Sequence, residues 1–158
     1  MRITKESEYA LRILVCLAKE GKQTDAGSIA GATSVPMRFT SKILRKLREA
    51  GLVVASKGAA GGYRLATAPD KITMLSAIEA IDGPVAISLC LADDYTCNHP
   101  DMSECGCFFH GVFDRINEKI IAELGSTTIA MAIANPSAPC TGCHSGCESC
   151  ANSGSCHK

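Results

Sequence analysis

The sequence has no long hydrophobic run, which excludes a membrane-spanning protein. A transmembrane helix needs about 20 consecutive apolar residues, and no apolar stretch in the 158 residues approaches that length. Residues 1–8 mix charged and apolar side chains and lack the apolar core and small-residue cleavage site of a signal peptide. We therefore expect a cytoplasmic protein with no membrane contact.

The sequence also lacks the side-chain groupings on which enzymes depend. It contains no evident nucleophile with a base and an orienting group, no glycine-rich phosphate loop and no pair of catalytic carboxylates. An enzyme is therefore the function class that we least expect.

The chain has no net charge, because two opposite excesses cancel. Residues 1–70 contain twelve Lys and Arg against six Asp and Glu, whereas residues 71–158 contain four against ten. A local excess of positive charge attracts a polyanion such as nucleic acid. The first 70 residues are therefore the part that we expect to meet one.

Cysteine is almost absent from the first half and abundant in the second. Nine of the ten cysteines lie at or after Cys90. In a reducing cytoplasm, clustered thiols are more often metal ligands or redox sensors than disulfide partners. We therefore expect the second half to carry a metal or redox site.

Hydrophobic periodicity predicts three helices in the basic half. They cover residues 7–19 before Gly21, residues 26–32 after Thr24 or Asp25 as N-cap, and residues 36–50 with Pro36 at the first helical position. The third helix has one apolar stripe, and its remaining surface is rich in Lys and Arg. Such a helix can pack on one side and meet phosphates on the other.

A β-hairpin is predicted directly after these helices. The β-prone residues 52–57 and 63–66 flank a glycine-rich tip at residues 58–62. Three helices followed by a hairpin, or wing, describe a winged helix-turn-helix. We therefore predict a mainly α protein with a small β-hairpin.

In a winged helix-turn-helix, the second helix of the pair enters the major groove of DNA, and nearby cations bind phosphates. A basic helical face can also be only a solvated surface, but the turn and the wing beside it favour DNA binding. The predicted DNA-contacting residues are Pro36, Arg38, Ser41 and Lys42 towards the bases, Arg45 and Arg48 nearer the backbone, and Lys57 and Gly58 in the wing.

The acidic half is predicted to contain a short helix at residues 73–81, a cysteine-bearing loop, a long helix and a final helix at residues 127–134. The long helix has apolar residues at intervals of 4, 3, 4 and 4, a narrow seam suited to pairing with another helix. It could instead cover the core of its own domain, but we prefer a dimer. The seam residues are Phe109, Phe113, Ile116, Ile120 and Leu124.

We accordingly predict three parts. Residues 1–70 form the winged helix-turn-helix, residues 71–135 form a cluster-binding loop and dimerisation helices, and residues 136–158 form a cysteine-rich tail. The tail has almost no large apolar residue and cannot bury a core of its own.

Four cysteines, Cys90, Cys97, Cys105 and Cys107, lie in a loop with several acidic residues and no Lys or Arg. Their spacing fits zinc sites poorly, because those usually contain cysteine pairs two to four residues apart. Iron–sulfur clusters accept looser loops, since bridging sulfides supply part of the coordination. We therefore predict an iron–sulfur cluster, and incidental reduced thiols are the alternative.

The sequence resembles the Rrf2 family of bacterial transcription regulators over about residues 1–134, because it contains a set of short motifs in the order found in that family. The resemblance implies a homodimer that reads an inverted-repeat operator, with long helices crossing between subunits beside a cluster. The motifs are Met1-Arg2-Ile3-Thr4, Tyr9-Ala10-Leu11-Arg12, Leu47-Arg48-Glu49-Ala50-Gly51-Leu52-Val53, Lys57-Gly58, Gly61-Gly62-Tyr63, Ala80-Ile81-Asp82-Gly83, the spaced cysteines and Thr128-Ile129-Ala130.

The resemblance also implies a ligand set. Cys90 and Cys97 match the first two cluster cysteines, Cys107 and His110 match a Cys-x2-His arrangement, and Cys105 is an additional candidate. Some members complete the cluster with an acidic residue at the position of Glu8, contributed by the partner subunit, and others with the histidine. Either residue could instead have an ordinary helical role. Among cluster types, [2Fe–2S] is favoured over [4Fe–4S].

The tail departs from the family pattern. Cys140, Cys143, Cys147 and Cys150 form a Cys-x2-Cys-x3-Cys-x2-Cys motif, which suggests a second metal or redox site.

The function expected from the whole sequence is a cluster-dependent DNA-binding regulator, with repression favoured. It would sense redox state, iron–sulfur status or nitric oxide. The alternatives are a cluster-free thiol sensor of the same fold, and an electron or cluster carrier, which would have no use for the basic helix and the wing.

Overall fold

The computed structural model describes residues 3–58, 61–92, 95 and 107–135. The first helix, α1 (Lys5–Glu20), is capped at both ends. The Thr4 hydroxyl accepts a hydrogen bond from the N–H of Ser7 at 3.3 Å, and Gly21 ends the helix in the left-handed conformation with φ +61°. Because Thr4 is the N-cap, α1 begins at Lys5 and not at residue 7 as predicted.

The helix-turn-helix consists of α2 (Ala26–Thr33) and α3 (Met37–Glu49). Asp25 is the N-cap of α2, and one carboxylate oxygen accepts the N–H groups of Gly27 and Ser28 at 2.9 and 3.0 Å. Pro36 is the N-cap of α3. It therefore precedes the helix, whereas the sequence predicted it as the first helical residue. Its carbonyl accepts the N–H of Phe39 at 2.8 Å while its own backbone remains extended, so the helix begins at Met37.

The predicted wing is present as an antiparallel hairpin of β1 (Val53–Ser56) and β2 (Gly62–Leu65), with Ser56 paired to Gly62. Gly62 belongs to the ladder and not to the tip. Strand β2 also pairs with Thr24, because Tyr63 N–H donates to the Thr24 carbonyl at 2.8 Å and the reverse bond measures 3.0 Å. A Cβ at position 62 would lie 2.6 Å from that carbonyl oxygen, so the site requires glycine.

The second half contains α4 (Met74–Asp82), α5 (Phe108–Ser126) and α6 (Ile129–Ala134), with short 3₁₀ turns at Pro69–Lys71 and Leu89–Leu91. Thr73 and Ser76 form a reciprocal capping box at the start of α4. The N–H of Ile129 donates to the Ile72 carbonyl at 2.9 Å, which places the starts of α4 and α6 side by side.

One hydrophobic core joins these elements around α1, which packs against α2, α3, α4 and α6. The core contains residues from both sides of position 70, whereas within α5 only Asn117 is buried. None of the helices within the described residues is both long and apolar enough to span a membrane. The buried apolar residues of this core are Ala10, Ile13, Leu14, Leu17, Ile29, Ile43, Leu44, Leu47, Val53, Ile72, Ala77, Ile81 and Ile129.

Asp82, the last residue of α4, binds the start of α1. It accepts hydrogen bonds from the hydroxyls of Thr4 and Ser7 at 2.7 and 2.8 Å, and Ser7 is fully buried. Partial burial alone would raise the pKa of Asp82, but these hydrogen bonds and the charge of Lys46 hold it below its usual value. The end of α4 is therefore fixed to the start of α1.

We predict that Asp82→Asn destabilises the fold by about 1 kcal/mol at neutral pH, because the largely exposed carboxylate loses the charge that strengthens its hydrogen bonds. A carboxyl group with a lowered folded-state pKa stabilises the fold above its unfolded pKa of about 3.9, and this contribution is lost as the pH falls through the folded-state value. Urea unfolding should therefore separate wild type from variant at neutral pH and bring them together as the pH falls below the unfolded pKa of the carboxyl group. Asp70→Asn, on an exposed turn, is the control, and equal stabilities at neutral pH would contradict the prediction.

Candidate nucleic-acid interface and cysteine-bearing segment

Helix α3 has one buried face and one exposed cationic face. Thr40, Ile43, Leu44 and Leu47 are buried against the core. The predicted DNA-contacting residues of this helix recur at intervals of three and four, so they lie along the opposite face. The exposed residues of that face are Arg38, Ser41, Lys42, Arg45 and Arg48, with exposed Pro36 at its beginning.

Three of these cations already have partners within the chain. The Arg45 guanidinium contacts Glu49 at 2.9 Å, which lowers the pKa of that carboxyl, and Arg38 lies 4.6 Å from the centre of the Phe39 ring. Lys42 donates to Glu6 of α1, and this hydrogen bond is the main cause of the lowered pKa of Glu6. The cationic face is therefore partly neutralised, and Arg48 is exposed near its C-terminal end.

In the wing, Lys57 and Gly58 are exposed at the end of β1. Gly58 has φ +109°, a conformation that disfavours other residues, and its carbonyl accepts the N–H of Gly61 at 2.8 Å. The remaining tip residues, 59 and 60, lie outside the described part of the chain. Lys57 therefore lies beside the Gly58–Gly61 hydrogen bond, and its contact with DNA stays a prediction.

Two of the predicted cluster cysteines lie on elements that contact each other. Cys90 lies in the 3₁₀ turn Leu89–Leu91, which packs against α5, and Cys107 is the N-cap of α5. The Cys90 sulfur is 3.2 Å from the Ser88 hydroxyl oxygen, and the Cys107 sulfur accepts the N–H of His110 at 3.4 Å. Both thiols are half-buried and form no disulfide.

Asn117 of α5 connects these elements. Its side-chain oxygen accepts the N–H of Ile87 at 3.1 Å, and its side-chain nitrogen donates to the Val85 carbonyl at 3.1 Å. The side chain is buried, with 9% of its residue surface exposed. The segment that leads into Cys90 is therefore fixed to the same helix that has Cys107 as its N-cap.

The remaining predicted ligands are not brought to this segment within the described residues. Glu8 is exposed on α1 and pairs with Lys5, which lowers the pKa of its carboxyl. Among the residues that the structure describes, no three His, Cys, Asp or Glu side chains are arranged to hold a metal ion. The predicted ligands outside the described residues are Cys97, Cys105, Cys140, Cys143, Cys147 and Cys150.

The first half of α5 presents an uncovered apolar surface. Phe108 is 75% exposed, Phe109 63% and Ile116 43%. Helix α5 packs against α4 and the Leu89–Leu91 turn, and these contacts cover other parts of its surface. Within the described residues, the first half of α5 therefore has several exposed apolar side chains.

A helix-turn-helix with an exposed cationic second helix, followed by a wing, defines the winged helix-turn-helix class of DNA-binding proteins. The family model for Rrf2, described as an iron-dependent transcriptional regulator, matches residues 3–135. The chain belongs to the Rrf2 family of DNA-binding transcriptional regulators. The family and the fold predicted from the sequence are both confirmed.

Several relatives illustrate this membership. An rrf2-like HTH-type transcriptional regulator of Rhodobacter capsulatus is 32% identical over 144 residues, which span 86% of this chain and 96% of the relative. CymR of Bacillus subtilis is 34% identical over 96 residues, which span 60% of this chain and 70% of CymR.

Solved structures share the fold. The structure of CymR, the global cysteine regulator of B. subtilis, has a TM-score of 0.67 at 28% identity and covers 85% of this chain and 97% of its own. T. potens IscR has a TM-score of 0.68 at 21% identity and covers 86% of this chain and 88% of its own, a similarity that shows the fold alone.

We predict that Asn117→Leu destabilises the protein by about 1–3 kcal/mol, because the apolar side chain cannot replace two buried hydrogen bonds. The released segment should also expose Cys90, so its alkylation, followed by peptide mass spectrometry, should become faster than in wild type. Asn135→Leu, which alters an exposed asparagine after α6, is the matched control. Unchanged stability together with an unchanged alkylation rate would show that Asn117 does not hold this segment.

Proposed function

We propose that the protein is an iron–sulfur-dependent regulator that binds duplex DNA as a homodimer and represses transcription, with an affinity set by the state of its cluster. The observation that supports this proposal most strongly is the attachment of the Cys90 segment to α5, the helix that has Cys107 as its N-cap and His110 in its first turn. The description of the family as iron-dependent agrees with it.

The donor set fits an iron–sulfur cluster. Cys90 and Cys107 are thiols outside any disulfide, and the Cys107 sulfur accepts the N–H of His110 at the start of α5, so both sulfurs are available in the same part of the fold. When bound, the cluster supplies an inorganic centre whose oxidation state and ligation respond to conditions. Cys97 and Cys105 are the further candidate ligands, and [2Fe–2S] is favoured over [4Fe–4S].

We propose His110, rather than Glu8, as the fourth ligand of the cluster. His110 lies one helical turn from Cys107 within the same chain, whereas Glu8 pairs with Lys5 and would have to come from the partner subunit. Imidazole and carboxylate ligands bind iron less tightly than a thiolate. Either choice leaves one exchangeable position suited to sensing.

Dimerisation through α5 is supported by its exposed aromatic residues, Phe108, Phe109 and Phe113. Burying such side chains against a second copy would remove them from water at about 25 cal/mol for each Å² of apolar surface. A two-fold dimer then presents two α3 helices to the two halves of an inverted-repeat operator. The exposed face of α3 and the wing residues Lys57 and Gly58 are the proposed contacts.

A second candidate is a cluster-free regulator that senses thiol chemistry. The similarity to CymR, a global cysteine regulator, and the half-buried thiols of Cys90 and Cys107 favour it. An electron carrier is not favoured, because the chain belongs to a family of DNA-binding regulators. The tail cysteines Cys140, Cys143, Cys147 and Cys150 are proposed as a second metal or redox site.

We predict that protein purified without oxygen contains iron and acid-labile sulfide and absorbs visible light. Cys90→Ser and Cys107→Ser should each lose most of this iron, and His110→Ala should lose it faster in air than wild type. Cys16→Ser is the control, because Cys16 lies on α1 and burial raises the pKa of its thiol. Deletion of residues 137–158 tests the tail, since a second metal site there predicts a lower metal content.

The same preparation separates the two candidates. Iron-free, colourless wild-type protein whose DNA binding responds to disulfide formation would contradict the cluster and support the thiol sensor. Iron bound equally by the Cys90 and Cys107 variants would contradict the proposed ligands.

A further inference from the structure

Glu6, in the first turn of α1, lies between two lysines of α3. One carboxylate oxygen accepts a hydrogen bond from Lys42, and the other lies 3.6 Å from the ammonium nitrogen of Lys46. The glutamate side chain is 23% exposed, compared with 54% for Lys42 and 33% for Lys46. A negative charge is therefore held against the cationic surface of the reading helix.

The two lysines differ in what else holds them. Lys46 also donates to the Ile81 carbonyl at 2.8 Å, where the end of α4 presents its last carbonyls. A cation in this position stabilises a helix C-terminus, so Lys46 belongs to the fold. Lys42 lies on the exposed face of α3 and is itself one of the residues predicted to contact DNA. Only Lys42 can exchange Glu6 for another anion without breaking a contact with α4.

DNA is such an anion. Exposed ion pairs are weak, whereas duplex DNA presents a dense row of phosphates and increases its affinity through counterion release when a lysine binds one. A phosphate that reaches Lys42 competes with Glu6 for the lysine ammonium group, and the carboxylate beside it repels the phosphate.

We propose that Glu6 is a residue that sets DNA affinity: it occupies Lys42 in the free protein and so weakens binding to DNA of any sequence. The proposal rests on α3 being the helix that reads DNA, and it is independent of any cluster. Sequence-independent binding depends mainly on phosphate contacts. Glu6 therefore suppresses it in particular, which helps a regulator to ignore the competing sites of a genome.

The test uses the full-length protein and a duplex of arbitrary sequence, with affinity measured by fluorescence anisotropy over a series of salt concentrations. Glu6→Gln should bind about two- to fivefold more tightly per protomer at low salt. It should also steepen the log–log salt dependence by about 0.9 for each additional phosphate that the protein neutralises. Lys42→Ala should bind more weakly, with a shallower slope.

Two controls separate this role from a change in net charge or in folding. Glu20→Gln removes the same charge from the exposed C-terminal end of α1. We expect it to change the DNA affinity and the slope of the salt dependence less than Glu6→Gln does. In the double variant with Lys42→Ala, the tighter binding caused by Glu6→Gln should disappear, because Glu6 acts through that lysine. Thermal unfolding of each variant verifies that the fold is retained.

Tighter binding by Glu6→Gln that persists without Lys42, or that Glu20→Gln reproduces, would overturn the proposal, and so would equal binding by Glu6→Gln and wild type. These outcomes leave the DNA-reading role of α3 intact. Failure of wild-type protein to bind duplex DNA at low salt would overturn that role and this proposal together.

Discussion

Helix α1 packs on the two helices of the DNA-reading unit and also on α4 and α6, so both halves of the chain share one hydrophobic core. Its buried residues Ala10, Ile13, Leu14 and Leu17 lie at the centre of that core. Closely packed interiors do not deform continuously. We therefore expect a displacement of α4 to reach the helix that supports α3, and in the proposed function this shared core couples the cysteine-bearing segment to the DNA-binding helices.

Polar contacts make the coupling more specific. Asp82, at the end of α4, binds Ser7 of α1, and Lys46 of α3 binds the neighbouring carbonyl of Ile81. Beyond Asp82 the chain leads within a few residues to the segment that Asn117 fixes to α5. These bonds connect the Cys90 segment to α3 through α4. Glu6 lies where this path reaches α3, beside Lys42 and Lys46. A ligand that binds two arrangements of this network unequally shifts the population between them.

The sequence was sufficient to predict the elements whose signals are local. Amphipathic periodicity, Gly21 and the glycine-rich wing predicted the helices and the hairpin, and the order of short motifs predicted the family. The contacts that connect these elements were not predicted, because Glu6 and Lys42 are 36 residues apart and Ser7 and Asp82 are 75 apart. Asn117 carried no separate signal, since it lies beside the apolar seam of α5 and follows Ile116, which continues that seam. Of the proposed sites, the exposed face of α3 follows from its periodicity, whereas the cluster ligands rest on the family resemblance.

In the proposed function, the state of the cysteine-bearing segment changes how tightly α3 holds DNA. The most direct test is the affinity of anaerobically prepared protein for a duplex selected from a random library, measured before and after iron is removed by chelation and with the iron content determined in both samples. We expect the affinity to change by about tenfold or more on removal of the iron, and a tenfold change corresponds to about 1.4 kcal/mol. Equal affinities of the iron-loaded and iron-free protein would contradict it.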